Sequence, residues 1–358
     1  MRPVVVPFFI SHLGCPHRCI FCDQEKIAGA RGVLPDAGEM LEQIARYQAS
    51  SPGRELEVAF YGGTFTALPR NDQHYLLAAL QPLLASGILS SLRLSTRPDA
   101  VSPETATFLK TMGVRTVELG VQSMNGEVLA LSGRGHTARD AELAVRALQG
   151  AGLQVGVQLM PGLPGDSEER SLDSLARVLA LAPSFLRIYP TLVIAGTELA
   201  ARYQAGSYLP QTLDQAVSLC KRMLLLARRA GVPVIRLGLQ PTAELESPGV
   251  LLAGPYHPAF GQLVESELCY DLMCFLVQGI PGGSRVSFLA AAGRTSDLVG
   301  QGRRNLDRLF ERFGVKVTKV KEDAALGRNN MVLQWSGGEL TGDLEALLFP
   351  TLAPVGVY

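Results

Sequence analysis

The sequence predicts an α/β fold, a partial or complete (β/α) barrel followed by a smaller C-terminal extension. Between residues 3 and 241, β-branched or aromatic runs alternate with segments of helical period, and Gly or Pro turns separate them. Strand and helix together repeat at roughly thirty residues, which favours parallel strands joined by right-handed crossovers. A succession of such units closes into a barrel or forms a large part of one.

The runs with the composition of buried strands come first in each repeating unit. They are residues 4–11, 55–62, 91–98, 116–123, 153–160, 184–193 and 232–239. Helical periodicity predicts helices between them, for instance at 72–86, 103–112, 138–150 and 168–181. The segment from Leu213 to Arg229 carries apolar residues at i, i+3, i+4 and i+7, so it is expected to turn one face to a core.

The alternation of strands and helices ends after residue 242. The following stretch is rich in loops, a helix is expected from about Val264, and GSRVSFLAAAG has the composition of a strand. We therefore predict two domains, a barrel at residues 1–242 and a C-terminal domain or extension of unknown role at residues 243–358.

Composition indicates a globular protein. Of the 358 residues, 47% are hydrophobic and 18% are charged, which is enough apolar material for a large core. The 33 basic and 33 acidic side chains cancel, so any nucleic-acid site has to be a local patch. No signal peptide and no apolar run of about 18 residues is found, so we expect no membrane span and a cytoplasmic location with reduced thiols.

Three cysteines in GCPHRCIFCDQ, residues 14–24, suggest a metal centre. Cys15, Cys19 and Cys22 have the spacing C-x3-C-x2-C, and soft thiolates favour iron-sulfur clusters, zinc or copper(I). A structural zinc needs a fourth ligand, for which His12 and His17 are the candidates. A cubane cluster on three thiolates leaves one iron open to a small molecule, and we favour this interpretation.

Polar residues and glycines follow the other predicted strands. In a βα barrel the active site lies at the C-terminal ends of the strands, where the βα loops converge. The residues that end or follow the strands are therefore expected at one mouth. They are Gly62, Gly63, Thr64, Ser95, Thr96, Arg97, Gln122, Ser123, Gln158 and Tyr189.

The cysteine motif resembles the signature of radical S-adenosylmethionine (SAM) enzymes, since Phe21 makes it C-x3-C-x-aromatic-C. The resemblance implies a 4Fe-4S cluster on Cys15, Cys19 and Cys22 whose open iron binds SAM. It implies reductive cleavage of SAM to a 5'-deoxyadenosyl radical that abstracts a hydrogen atom. It also implies a low-potential electron donor such as flavodoxin or ferredoxin.

Further segments are similar to the SAM-binding regions of this superfamily. YGGTFT (61–66) resembles its glycine motif, and VELGVQS (117–123) and LSGRGHT (131–137) resemble the branch of oxygen-independent coproporphyrinogen oxidase and the Elongator catalytic subunit. The residue matching Gln158 is acidic in that oxidase, so the hydrogen bonds there are expected to differ. The resemblance implies contacts to SAM from Gly62, Gly63, Thr64, Ser95, Gln122, Arg134 and Gln158.

The resemblance covers roughly residues 4–240 and is closest to small bacterial relatives of the Elongator subunit. No acetyl-CoA loop of the Q/R-x-x-G-x-G/A kind is evident, so acetyl transfer is not expected. Related proteins modify transfer RNA, which makes transfer RNA the first expected substrate class. A small metabolite or tetrapyrrole substrate is the alternative. A non-catalytic, zinc-stabilised nucleic-acid-binding protein is the alternative of another class.

Two features outside the barrel complete the sequence predictions. Arg304, Arg308 and Arg312 recur at helical spacing, so one helix face is a candidate for phosphate contact; interleaved acidic residues also fit an ordinary exposed helix. The remaining cysteines lie in apolar helical segments and are expected to pack in the core. They are Cys220, Cys269 and Cys274.

Overall fold

A computed structural model of the chain describes residues 3–16, 18–29 and 32–344. The chain forms two compact units. The first contains Met1–Thr212 and Val232–Tyr256, and the second contains Leu213–Gly231 and His257–Tyr358. The domain division at residues 242 and 243 stays a prediction. No helix among the described residues has the length and apolar character needed to cross a membrane.

The first unit is built on a seven-stranded parallel sheet. Its strands, in spatial order, are β1 (Val4–Phe9), β2 (Leu56–Tyr61), β3 (Leu89–Thr96), β4 (Val114–Gln122), β5 (Gln154–Leu159), β6 (Phe185–Ile188) and β8 (Val234–Leu237). A short antiparallel pair, β7 (Val193–Ile194) and β9 (Leu251–Ala253), forms a separate sheet. Strands β1 and β8 are the two edges of the sheet, so the partial form of the predicted barrel is the one observed.

Each predicted strand of the barrel is present, several are shorter than expected, and the largest difference is at β6. The run 184–193 forms β6 only as far as Ile188. Pro190 follows closely, and because proline has no N–H it cannot continue the hydrogen-bond ladder of a sheet. The chain then resumes as β7 in the other sheet.

Helices connect the strands of the first unit. They are α1 (Gln24–Ala28), α2 (Ala37–Ser50), α3 (Arg70–Ala78), α4 (Gln81–Ala85), α5 (Pro103–Thr111), α6 (Gly126–Leu131), α7 (Ala138–Gly150), α8 (Glu168–Leu179) and α9 (Glu198–Gln204). The expected helix at 72–86 is divided into α3 and α4, and Pro82 stands in the first turn of α4, where a missing N–H costs least. Helix α7 begins with a capping box of Thr137 and Asp140.

The two faces of the sheet differ in polarity, as β4 shows. Val117, Leu119 and Val121 are at most 1% exposed and belong to the apolar core. Their neighbours Glu118 and Gln122 point to the opposite face because side chains alternate along a strand. The polar residues of the candidate site lie on this second face.

The second unit combines helices with a small mixed sheet. Its helices are α10 (Leu213–Arg229), α11 (Phe260–Val277), α12 (Thr295–Val299) and α13 (Arg304–Phe313), and its strands are β10 (Arg285–Ala291), β11 (Lys316–Asp323), β12 (Asn330–Trp335) and β13 (Gly338–Asp343). The strand order is β11-β10-β12-β13. The predicted helix 213–229 and the predicted strand in GSRVSFLAAAG are confirmed. Cys220, Cys269 and Cys274 are buried, as expected.

The three arginines of α13 do not form a free basic face. The guanidinium of Arg308 lies 3.7 Å above the ring of Tyr270 and pairs with the carboxylate of Glu267. Arg312 directs Nη1 at the sulfur of Cys274, at 4.0 Å. Two of the cations expected to meet phosphates are therefore used in contacts with α11, because a long arginine side chain covers a neighbouring helix while its charge finds a local partner.

Candidate functional site

The loop after β1 and the loop after β2 fold together as one structure. The backbone N–H of Thr64 donates to the carbonyl oxygen of Leu13 at 2.9 Å, and the N–H of His12 donates to the carbonyl oxygen of Gly62 at 2.9 Å. The sulfur of Cys15 lies 3.2 Å from the hydroxyl of Thr64. The cysteine motif and the glycine motif, which are 49 positions apart at Cys15 and Thr64, thus meet at the C-terminal ends of neighbouring strands.

Close backbone packing explains the glycines of this second loop. A Cβ atom added to Gly63 would lie 2.4 Å from the carbonyl oxygen of Ile10 and 2.5 Å from that of Leu13. Gly62 has a φ of +86°, in the region that side chains disfavour. The glycine pair is therefore required for the approach of the cysteine loop, in addition to leaving backbone accessible to a ligand.

His12 closes the cysteine loop. Its Nε2 accepts the backbone N–H of Gln24 at 2.9 Å, and its own backbone has a φ of 60°. Burial, followed by the charge of Arg18, lowers the pKa of the imidazole, which suits a neutral ring that accepts a hydrogen bond. The nitrogen Nε2 is thus occupied within the protein. His17, the other histidine considered as a zinc ligand, lies outside the described residues.

The cysteine sulfurs face polar donors. Arg134 donates from Nη1 to the sulfur of Cys19 at 3.0 Å, and Gln24 donates from Nε2 to the sulfur of Cys22 at 3.5 Å. Burial, and then the neighbouring Cys19, raises the pKa of Cys22 to about 12. Because a thiolate is the form that binds metal, the guanidinium and amide donors offset part of the cost of three adjacent negative sulfurs.

The donor set fits a cluster better than a single zinc ion. Zinc ligands converge on one ion at about 2.0–2.3 Å. Among the described residues, no three His, Cys, Asp or Glu side chains are arranged to hold one metal ion. A cubane cluster places each thiolate on a different iron, so its sulfurs stand farther apart. Three thiolates, from Cys15, Cys19 and Cys22, therefore suit the chemistry of a cluster with one open iron.

Gln122 ends β4 in a strained conformation. Its φ is 68°, and the pairing of β4 with β5 shifts register between Gly120 and Gln122. A left-handed conformation costs a residue with a side chain about 1–2 kcal/mol. The strained backbone directs the Gln122 amide to Gln158, whose Nε2 donates to Gln122 Oε1 at 3.1 Å. Such outliers cluster at functional sites, where the surrounding structure maintains the strain.

Arg134 links this amide pair to the cysteines. Besides its bond to Cys19, it donates from Nη2 to the carbonyl oxygen of Gly120 at 2.5 Å. Ser95 stands apart from these contacts, since its hydroxyl donates to the carbonyl oxygen of Phe60 at 3.4 Å. The structure therefore brings Arg134 next to Cys19 and joins Gln122 to Gln158, while Ser95 bonds to the backbone of the adjacent strand.

Arg97, expected at the mouth from the sequence, makes contacts that the sequence did not predict. Its Nη2 donates to the carbonyl oxygen of Arg134 at 2.5 Å, its Nε and Nη2 contact Asp99, and its Nη1 lies 4.0 Å from the sulfur of Cys19. Arg97 thus orients the Arg134 segment and adds positive charge near the same sulfur. The position of Arg97 directly after β3 predicts its place at the mouth, but its partners Arg134 and Cys19 lie 37 and 78 positions away in the chain.

A buried charge network, which the sequence did not predict, occupies the polar face of the sheet. Arg93 contacts the carboxylates of Glu57 at 2.7 Å and Glu118 at 2.8 Å. Glu118 also binds Arg187 at 2.7 Å and accepts the hydroxyl of Tyr61 at 3.2 Å. Burial, and then the charge of Glu118, raises the pKa of the Tyr61 phenol, so the phenol is protonated. A charged residue within a β-branched run is the sequence signal for such a network.

Comparison with known families decides the affiliation of the chain. Residues 9–178 match the family described as the radical SAM superfamily, and residues 183–269 match the radical SAM C-terminal domain. The chain belongs to the radical SAM superfamily. This is a superfamily of enzymes that bind a 4Fe-4S cluster and SAM, so the cofactors expected from the sequence are those of the family.

The individual relatives include proteins of the Elongator type. The chain is 29% identical over 253 residues to a tRNA uridine(34) acetyltransferase of Methanocaldococcus infernus, covering 60% of this chain and 47% of the relative. It is 28% identical over 192 residues to Elongator complex protein 3 of Mus musculus, covering 48% of this chain and 35% of that protein. The chain thus spans about half the length, or less, of these curated relatives.

A solved structure shares the fold. The archaeal Methanocaldococcus infernus Elp3 with an N-terminal deletion superposes with a TM-score of 0.58 and 24% identity, covering 74% of this chain and 62% of that one. Similarity at this level of identity supports the architecture of the partial barrel. The functional assignment depends on the family match and on the site.

Proposed function

We propose that this radical SAM superfamily member modifies transfer RNA. The proposal rests on one observation. The cysteine loop contacts the glycine loop and Arg134 at the C-terminal ends of the parallel strands. Transfer RNA is proposed as the substrate because relatives over this region include proteins named tRNA uridine(34) acetyltransferase. Acetyl transfer itself is not part of the proposal.

Three cysteines would hold the cluster. Cys15, Cys19 and Cys22 each supply one thiolate, and the fourth iron has no protein ligand in this scheme. The hydroxyl of Thr64 and the donors of Arg134 and Gln24 lie at 3.2 Å, 3.0 Å and 3.5 Å from the three sulfurs. Hydrogen bonds to ligand sulfurs tune the reduction potential, so these three side chains would set the cluster's redox properties.

The neighbouring residues would bind SAM. The half-buried backbone of the glycine loop suits the amino group of the methionine part, and the two glutamine amides suit the carboxylate or ribose. Arg134 offers a positive charge between the sulfur of Cys19 and the carbonyl of Gly120. The set proposed to contact SAM is Gly62, Gly63, Thr64, Ser95, Gln122, Arg134 and Gln158.

When bound, a 4Fe-4S cluster would supply the electron for reductive cleavage of SAM, the radical chemistry of this superfamily. The chain's own residues position the cofactors and exclude water, since Thr64, Gln122 and Arg134 are 1%, 7% and 5% exposed. We propose a low-potential donor such as flavodoxin or ferredoxin as the electron source. Three thiolates also need a reducing compartment, which is the reason for proposing the cytoplasm.

Comparison of nucleosides from cells with and without the gene tests the transfer RNA assignment. We expect one modified nucleoside of transfer RNA to disappear on deletion and to return with the wild-type gene or Cys220→Ala. It should not return with Cys22→Ala, because Cys22 is a proposed cluster ligand and Cys220 is a core residue. Unchanged nucleosides together with a changed small metabolite would contradict the assignment and indicate a small-molecule substrate.

A further inference from the structure

We propose that Arg187 and Arg236 form a phosphate-binding site on the polar face of the seven-stranded sheet, and that it holds a phosphodiester of the RNA substrate. The inference rests on the proposed function for the identity of the ligand. The existence of an anion site rests on the structure alone.

The register of β6 and β8 places the two arginines side by side. Leu186 pairs with Val234, but Arg187 pairs with Arg236, so the register shifts by one residue at Ile235. Without this irregularity, Arg187 would oppose Ile235, and Arg236 would point to the other face because side chains alternate. Bulges that redirect a side chain in this way occur preferentially next to active sites. The irregularity therefore brings Arg236 to the face of Arg187.

Two cations in register on neighbouring strands repel each other unless an anion is present. Arg187 has its anion, since its Nε lies 2.7 Å from a carboxylate oxygen of Glu118. Arg236 is partly buried, and its side chain makes no hydrogen bond or ion pair with any residue that the structure describes. A partly buried guanidinium beside a second one, with no counter-charge, is the condition that a bound anion relieves.

Two tyrosine hydroxyls hold the guanidinium of Arg187 in place at the site. Arg187 donates from Nη1 to the hydroxyl of Tyr189 at 3.0 Å and from Nη2 to the hydroxyl of Tyr61 at 3.2 Å. Arg187 and Arg236 are each the second-last residue of their strands. They therefore lie towards the C-terminal ends of the sheet, where the glycine loop follows Tyr61, and an anion there would be near the cofactor loops.

Charge balance favours a singly charged anion. Arg93, Arg187 and Arg236 carry three positive charges, and Glu57 and Glu118 carry two negative ones, which leaves one positive charge. A phosphodiester carries one negative charge, and its two free oxygens match the fork of a guanidinium. For an enzyme acting on RNA, a phosphodiester next to the target nucleotide supplies this group.

Thermal unfolding of the full chain tests the anion site without RNA. Arg236→Gln removes the repulsion, so in chloride buffer this variant should be at least as stable as the wild type. Sodium phosphate at matched ionic strength should raise the melting temperature of the wild type, and of the control Arg115→Gln, more than that of Arg236→Gln. Arg115 is an exposed arginine near the start of β4. If phosphate raised the melting temperature of all three proteins equally, the proposed anion site at Arg236 would be wrong.

Binding of a short RNA stem-loop then tests the ligand. Arg236→Gln should weaken binding about tenfold and reduce the slope of log K against log salt by about 0.7, the value for one lost phosphate contact on a single strand. Arg236→Lys should keep most of that slope, and Arg115→Gln all of it. If Arg236→Gln and the wild type bound RNA with equal affinity, the proposed phosphate site would be wrong. The proposed function would not be affected by that result. A phosphate effect without RNA binding to wild type would support the anion site and contradict the RNA substrate.

Discussion

Arg134 donates a hydrogen bond of 3.0 Å to the sulfur of Cys19, a residue 115 positions earlier in the chain. The same guanidinium bonds to the carbonyl of Gly120 at the end of β4. One side chain therefore connects the proposed cluster loop to the strand that ends in Gln122. From the sequence, Arg134 was expected to contact SAM, and the structure adds a direct relation to a proposed cluster ligand.

Loss of this bond should make the cluster harder to reduce. A donor to a ligand sulfur stabilises the reduced, more negative state. Arg134→Ala should retain iron but lower the midpoint potential by about 60 mV, equivalent to a factor of ten for a one-electron couple. Arg139→Ala, at an arginine whose side chain is 63% exposed, is the control. Redox titration followed by electron paramagnetic resonance measures the potential, and equal values in both variants would contradict the role.

Gly63 should not accept even one methyl group. The added Cβ would meet two backbone carbonyl oxygens, which cannot move without separating the two loops. We expect Gly63→Ala to lower the free energy of unfolding by about 1–3 kcal/mol and to weaken SAM binding. Gly126→Ala is the matched control, because nothing lies within 4 Å of its Cβ position. Urea unfolding and equilibrium dialysis with SAM test this, and equal behaviour of the two variants would refute the packing argument.

Gln122 offers a test that separates backbone strain from side-chain function. Gln122→Gly and Gln122→Ala both remove the amide that meets Gln158. Glycine adopts a φ of 68° without strain and alanine does not, so the glycine variant should be more stable by about 1 kcal/mol. Both should lose SAM affinity. Full SAM binding by the glycine variant would show that the amide has no part in the site.

Glu118 should be essential for the stability of the charge network. Glu118→Gln leaves Arg93 and Arg187 partly buried without their shared carboxylate, and breaking a buried pair costs about 3–5 kcal/mol. Glu127→Gln breaks an ion pair whose carboxylate is 59% exposed, and this loss should cost less than about 1 kcal/mol. Thermal and urea unfolding of both variants measure the difference. Similar small losses would show that the network contributes little to stability.

Periodicity and turn residues were sufficient to predict the barrel strands. Alternation of β-branched runs with helical segments is a local signal, and all of the expected strands occur in the sheet. The cysteine and glycine motifs were also local, and the structure places both on neighbouring loops. What failed were boundaries set by single residues, such as the division of the helix 72–86 near Pro82 and the early end of β6 before Pro190.

Contacts between distant positions could not be obtained from the sequence. Arg97 contacts residues of other loops and Glu118 contacts residues of other strands. The pairing of Arg236 with Arg187 depends on a register shift that leaves no sequence pattern. The basic face of α13 illustrates the same limit, because Arg308 has the helical spacing of a phosphate contact but pairs with Glu267. Charge spacing along one helix does not reveal which charges the tertiary structure has already paired.

Iron and sulfide analysis of the protein, purified and reconstituted without oxygen, tests the proposed cluster. We expect about four irons and four sulfides per chain, the content of one cubane cluster. The cluster should be lost when Cys15, Cys19 and Cys22 are changed to Ala and retained when Cys220, Cys269 and Cys274 are changed. One zinc per chain without iron, or a cluster that survives the first triple change, would contradict the assignment.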